Sequence, residues 1–421
     1  MSADQRPDLR VAVTVAVLGG AVFAVLAAVL VPWHWLPGGS VHPVAADTVF
    51  TSQQIARAER ISWSLRLAGW GSLAVALAIG TVLGLTRAGS RLVGRIPGPW
   101  WLASFLGAGA VLGVTLVGQL PLVLRIRQVR LDAGLSGQPL TGWISDQLIA
   151  GLVSWAFTGV GVVVLIGLAR RFPRRWPAAA ALAAAGLVML GSFVYPVLIE
   201  PLSNDFTALP AGPLRSEIYA VASSEGVHLD DVLVADASRR TTTLNAYVSG
   251  FGSTRRVVVY DTVLSALDRA QIVTIVAHEL AHAKHRDVLL GTVLGAAGTA
   301  CGVGLLGAVF CSRRIRDRAG ARDAGDVRAV PLILALASIA AFAVSPVENG
   351  ISRAIEARAD RTSLEVTRDP ATFVAMQRQL TLRSAADPSP PWLSQFWFGS
   401  HPTVLQRIGM ARAYTPRAPG E

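Results

Sequence analysis

The sequence predicts a mainly α, polytopic membrane protein with about seven transmembrane helices and a small α+β unit set among them. Three observations predict it. The chain has 421 residues, 52% of them hydrophobic and only 15% charged, whereas about a quarter are charged in a typical soluble protein. Its apolar residues fall in blocks close to the ~20 needed to cross a hydrocarbon core as a helix. Residues 201–287 break that pattern, with mixed polarity and short alternating runs.

The apolar blocks are 11–31, 67–85, 101–124, 148–168, 177–198, 288–310 and 329–347. Most are rich in Gly and Ala, which lets helices approach closely in lipid. The first follows Arg6 and Arg10. It is too long for a signal-peptide core and no small-x-small cleavage site follows it directly, so it reads as a retained anchor. The organisation is therefore a five-span region over 1–200, a folded insert over 201–287, two further spans within 288–347 and a helical C-terminal segment over 348–421.

The net charge of +11 is almost all arginine, since Lys284 is the only lysine. No basic stretch is interleaved with aromatic residues, as a nucleic-acid-binding face requires. The arginines flank the apolar blocks instead, which makes the lipid bilayer the partner they imply. The Arg-, Ala-, Gly- and Val-heavy composition is what GC-rich codons produce, and it points to a bacterial plasma membrane. Cys301 and Cys311 are ten positions apart in one apolar block. That is roughly 15 Å along a helix, beyond disulfide reach.

Within the insert, 213–226 reads as an amphipathic helix and 231–235 as a strand. Residues 244–249 and 256–260 read as a hairpin joined by a turn at 250–255. A helix opens at Asp268, a good N-cap, and is expected to run through 277–285 into the sixth span. After the seventh span the chain is expected to continue as helix, then pass through the prolines of 388–391 to the aromatic run 392–398 and a short terminal helix. The stretches 132–142 and 313–328 read as solvated connectors. Arg66 and Glu200 stand where charges reach the lipid interface. His34, His42 and His228 fall in loops, and His285 at a hydrated helix end.

The chemistry-bearing run is His278-Glu279-Leu280-Ala281-His282. Side chains four apart share a helix face, so both imidazoles can hold one metal. Glu279 then reaches a water on that metal as a general base. Histidines at a membrane boundary need such a reason, because polar groups there are costly. A catalytic zinc takes three protein ligands and keeps one open position. Glu356 is a candidate for the third, with Asp360 one turn on to orient a ligand histidine. By spacing alone Glu348 competes with Glu356, and an ordinary charged helix competes with both.

The sequence resembles the integral-membrane zinc metallopeptidase family of the CAAX prenyl protease 1 type. The resemblance rests on the HELAH run and on Asn349, Ser352, Arg353, Glu356 and Asp360, which fit the family's N-x-x-S-R-x-x-E-x-x-A-D block. It rests also on Asn245-Ala246-Tyr247 with Gly250-Phe251-Gly252, on Val258-Val259-Tyr260-Asp261-Thr262, and on His401-Pro402 with Arg407. It implies a zincin-like catalytic insert and one Zn²⁺ per chain, bound by His278, His282 and Glu356, with Glu279 as base. It further implies that Asp360 supports a ligand and that Asn245, Ala246 and Tyr247 pair with an extended substrate. His401 and Arg407 would act beside the reacting carbonyl. The implied activity is endopeptidase cleavage of peptides or membrane proteins, with helices that enclose a chamber. Two other classes keep the same spans: a catalytically silent scaffold, against which the intact zinc and base residues count, and a transporter with a coincidental zinc motif. A transporter needs polar or broken helices at mid-membrane, and no charged pair lies there.

Orientation divides the two lines of reasoning. Loops after the even-numbered spans carry Arg87, Arg91, Arg95, Arg170, Arg171, Arg174, Arg175 and the arginines of 313–328, against Arg57, Arg60, Arg125, Arg127 and Arg130 in the odd ones. The positive-inside rule then puts the N-terminus in the cytoplasm and the zinc motif outside, whereas the resemblance implies a zinc site open to the cytosol. The arginine distribution predicts that a reporter fused to the C-terminus is active only when it is a type that works after export. Activity of a cytosol-requiring reporter instead would establish the opposite orientation.

Overall fold

The computed structural model describes residues 7–34, 42–194, 200–202, 204–250 and 252–415. Arg6, Phe251, the 195–198 end of the fifth predicted span and the last six residues lie outside them. The first region consists of α1 (Leu9–Leu30), α2 (Ser52–Leu85), the short α3 (Arg87–Val93), α4 (Trp100–Asp132), α5 (Leu140–Arg171) and α6 (Trp176–Val194). The insert follows as β1 (Phe206–Ala208), α7 (Pro213–Ser224), β2 (Asp231–Ala235), β3 (Ala246–Ser249), β4 (Arg256–Tyr260), α8 (Asp261–Ala266) and α9 (Arg269–Lys284). Then come α10 (Asp287–Cys311), α11 (Arg313–Ala319), α12 (Val330–Thr367), α13 (Pro370–Ser384), α14 (Trp392–Phe398) and α15 (Val404–Ala413).

Among the described residues, seven helices are long and apolar enough to cross a membrane: α1, α2, α4, α5, α6, α10 and the helix that contains α12. Their outward faces carry large apolar side chains, with Leu182 78% and Val117 71% exposed. Such faces suit lipid, not water. Small residues set the packing inside. A Cβ on Gly19 would lie 2.5 Å from the Cys301 backbone nitrogen, and one on Gly304 would lie 2.3 Å from that of Ala16. The α1 and α10 backbones are thus in direct contact, as glycine permits.

The insert holds a four-stranded sheet in the order β1-β2-β4-β3, with β2 and β4 parallel and the other pairs antiparallel. β3 is an edge strand. The sheet buries Val232, Val257 and Val259 against Ile218 of α7 and Ile275, Val276 and Leu280 of α9. The same core takes in Leu364, Phe373, Met376 and Met410 from the C-terminal segment. The insert therefore closes its core only with residues that follow the seventh span.

Several expectations are corrected. The helix that opens at Asp268 does not run into the sixth span; Arg286 adopts a left-handed conformation (φ 58°) and α10 starts afresh at Asp287. The 313–328 stretch contains α11, capped by Gly320 at φ 72°. The connector before α5 is not solvated throughout: Leu135 is buried and Ser136 Oγ donates to the Arg240 carbonyl at 2.6 Å. Strand β1 has no counterpart in the sequence reading, since three residues carry too little pattern. Arg66 and Glu200 are held by protein partners. Arg66 pairs with Asp387 at 2.8 Å, and Glu200 is buried and accepts from Ser249 Oγ at 2.7 Å. The expected helix after the seventh span is present, as one uninterrupted α12 of 38 residues.

Candidate metal centre

Helix α9 is set by its start. Asp268 and Gln271 form a reciprocal capping box, which fixes the helix phase. With the sheet on one side and α12 on the other, half of α9, including His278, is buried. His278 and His282 point to the α12 side, one turn apart, with ring centroids 5.0 Å from each other.

Glu356 of α12 meets them there. His278 Nε2 lies 3.1 Å from Glu356 Oε2 and His282 Nε2 3.6 Å from Oε1. One donor atom from each of the three falls within 4.8 Å of the others. Glu348, the rival by spacing, has no part in this group. The donor set also suits a cation chemically. Metal–ligand bonds of about 2 Å to nitrogen and oxygen need such donors a little over 3 Å apart, and the Nδ1 atoms of both histidines face other carboxylates, which leaves Nε2 for the metal.

Those Nδ1 atoms face carboxylates. His278 Nδ1 is 2.9 Å from Asp360 Oδ1, and His282 Nδ1 donates to Asp287 Oδ2 at 2.9 Å. Each carboxylate is held in turn by an arginine. Arg407 Nε donates to Asp360 Oδ2 at 2.7 Å and its Nη2 to Oδ1 at 2.5 Å, while Arg358 Nη2 donates to Asp287 Oδ1. Asp360 has no exposed surface. Burial alone would push the His278 ring toward its neutral form, but Asp360 and Glu356 outweigh it and raise its pKa to about 10. The same two carboxylates favour any positive charge at Nε2, proton or metal. Burial raises the Glu279 carboxyl above its ordinary value; the neighbouring histidines pull it back and Glu356 adds to the rise.

Of the residues singled out in the sequence, His278, His282, Glu356, Asp360, Arg407 and His401 all meet here. His401 Nε2 lies 3.2 Å from Glu356 Oε2, and its Nδ1 is 2.9 Å from Ser400 Oγ. Arg407 pairs with Asp360, the carboxylate that faces His278. Ala246 and Tyr247 open edge strand β3, which packs beside α9; Asn245 stands just before it, its carbonyl accepting from Tyr260 N at 3.0 Å. His285 contacts Thr362 Oγ1 at 3.2 Å and stands apart from the donor group. Asp287 and Arg358 were missed. An Asp five residues past His282 would point away on a continuous helix, and only the left-handed turn at Arg286 brings it back.

A glutamate-and-two-histidine donor set on buried helices, joined to a seven-span bundle, defines a membrane-embedded metallopeptidase. The chain belongs to peptidase family M48, whose family model matches residues 208–415. It is 32% identical to the uncharacterized metalloprotease YhfN of Bacillus subtilis, over 70% of each chain. It is 31% identical to a rice CAAX prenyl protease 1 homolog, over 53% of this chain and 52% of that one. The fold is shared with the crystal structure of S. mikatae Ste24p at a TM-score of 0.78, covering 96% of this chain and 99% of that one at 18% identity. Membership of this family entails a catalytic metal.

One more buried acid stands near the site. Glu225, just past α7, is 5% exposed, and neither carboxylate oxygen has a hydrogen-bond partner among the described residues. Burial raises its pKa to about 7, against opposition from Lys284 and His278. A carboxyl raised in the fold is protonated there while it ionises in the unfolded chain. Its stability contribution is full below about pH 4.5 and lost as pH rises through about 7. Glu225→Gln is therefore expected to melt like the parent near pH 4.5 and to be the more stable by up to about 3 kcal/mol above pH 7. Thermal melting of the full chain in detergent across that range checks this; a constant difference would contradict it.

Proposed function

We propose that His278, His282 and Glu356 bind one zinc ion per chain and that Glu279 is the general base of a membrane endopeptidase. The observation that carries this reading is the convergence of the three donors within 4.8 Å, with Glu279 on the same helix between the two histidines. When bound, the zinc would polarise the scissile carbonyl and acidify the attacking water. Glu279 takes the proton of that water and later gives it to the leaving amine. Burial raises the Glu279 carboxyl above its ordinary value, which helps it hold the water's proton until the amine leaves.

The remaining residues hold and orient. Asp360 and Asp287 fix the rings of His278 and His282 so that each Nε2 faces the metal. Arg407 and Arg358 hold those carboxylates in register. His401, half-exposed beside Glu356, donates to the carbonyl oxygen as negative charge develops there. The edge of β3 at Asn245, Ala246 and Tyr247 receives an extended substrate segment as an added strand. The catalytic unit on this reading is 201–287 together with 348–421, its parts joined by the two spans of 288–347.

The substrates are peptides or extended segments of membrane proteins. The rice relative is named for prenylated CAAX ends. For this chain the arginine-rich composition and the Bacillus relative favour a bacterial plasma membrane, where prenylated proteins are few, and so favour processing or turnover of membrane proteins.

Cleavage of a casein-type substrate should be abolished by phenanthroline and restored by zinc. Glu279→Gln should keep the metal while losing turnover by about a hundredfold to ten-thousandfold. Full activity in a zinc-loaded Gln variant would overturn the assignment. Asp287→Asn is expected to weaken metal affinity about ten- to a hundredfold, measured by competition with a chromogenic chelator. An unchanged affinity would confine Asp287 to a packing role.

A further inference from the structure

At the bundle end opposite the catalytic insert, α3 and the loop between α10 and α12 line an open cavity of about 630 Å³. The ends follow from chain order: these segments come after the second and sixth spans, the insert after the fifth. The cavity is lined by Arg87, Arg91, Arg95, Arg322 and Arg328, with Asp317 as its one acidic residue. Asp317 lies 3.4 Å from Arg313, and Arg322 pairs with Asp326 at 2.8 Å. Arg87, Arg91, Arg95 and Arg328 have no side-chain hydrogen bond or ion pair among the described residues. Four unpaired guanidinium groups thus converge on one concavity.

Its walls are close-packed. A Cβ on Gly320 would lie 2.4 Å from Ser90 Oγ, and one on Gly94 would lie 3.0 Å from Arg328 Nε. The cavity also sits at the lipid boundary. It adjoins the ends of two spans, at Leu85 and Cys311, and the start of another at Val330. Trp101, 51% exposed on the first turn of α4, stands near the same level, as interfacial aromatics do.

We propose that this arginine cavity is a binding site for the phosphate headgroup of an anionic phospholipid, with the acyl chains lying along the neighbouring spans. Arginines scattered around spans only bias orientation. Arginines gathered without partners in one pre-formed concavity repel each other, and a multiply charged phosphate ester relieves that repulsion with forked hydrogen bonds. The apolar flank favours a lipid over a free anion. The site is independent of the peptidase reading.

The test titrates the detergent-solubilised full chain with cardiolipin, phosphatidylcholine and inorganic pyrophosphate, followed by native mass spectrometry. The parent should retain cardiolipin in preference to both other probes. Arg87→Gln/Arg91→Gln/Arg95→Gln/Arg328→Gln should lose about a hundredfold or more in cardiolipin affinity. A control, Arg314→Gln/Arg318→Gln, removes charge from the same face outside the cavity lining and should bind as the parent does. If the quadruple variant does not fold, Arg91→Gln and Arg95→Gln singly should each cost about fivefold. Cardiolipin retention unaffected by these changes, an equal loss in the control, or pyrophosphate binding as tight as cardiolipin would each overturn the proposal.

Discussion

The structure turns on the contact between α9 and α12. The two histidines of α9, His278 buried and His282 partly so, have ring nitrogens on both sides, and neither side is readily left without a partner in a packed interior. Glu356 answers on one side and Asp360 and Asp287 on the other. Buried carboxylates need counter-charges of their own, and Arg407 and Arg358 supply them. The polar network therefore extends outward until it reaches groups on α10, α12 and α15. This is why the core of the insert is completed by residues beyond the seventh span, and why α12 has to emerge from the lipid as a single helix.

Legibility in the sequence followed the range of the interactions. The seven spans were readable because the bilayer demands a local property, a run of apolar residues of fixed length. The His278–His282 pair was readable because one helix turn joins it. Glu356 was ambiguous with Glu348 for the opposite reason: the choice depends on how two helices 78 residues apart come into register. The resemblance, not the spacing, separated them. Asp287 was unreadable because its position depends on one backbone torsion at Arg286. Nothing in Lys284-His285-Arg286-Asp287 advertises a left-handed residue, and a glycine there would have. The same holds for 313–328, where charge suggested solvent and the chain instead formed α11 and the rim of a cavity.

The two ends of the bundle spend their charge differently. Around the metal donors acids and bases are matched residue by residue, Asp360 with Arg407 and Asp287 with Arg358. At the other end arginine outnumbers acid, and the lining of the α3–α11 cavity is mostly unpaired. Arg170, Arg171, Arg174 and Arg175 flank spans on the same face, whereas Arg87, Arg91, Arg95 and Arg328 line one hollow, so the net charge of +11 includes both arginine that orients spans and arginine that converges.

The tail after α13 shows how the membrane helix and the catalytic centre are tied. Asn349 Nδ2 donates to the Trp397 carbonyl at 2.6 Å, and Arg353 Nη1 donates to the carbonyls of Gln395 and Gly399 at 3.0 and 2.6 Å. These are carbonyls at and just beyond the C-terminal end of α14, where orphaned acceptors attract donors and positive charge. Gln395 then donates from Nε2 to the His401 carbonyl at 2.6 Å. The chain of contacts runs from α12 through α14 to His401 and back to Glu356, also on α12. His401 is thus fixed relative to the helix that carries Glu356, not to the solvent loop it belongs to. A lone histidine before proline would ordinarily be free to wander; here its backbone is anchored within two turns of the carboxylate it faces. That closed circuit makes the residues of 349–360 a single unit, in which the outer pair sets the loop and the inner pair meets the histidines.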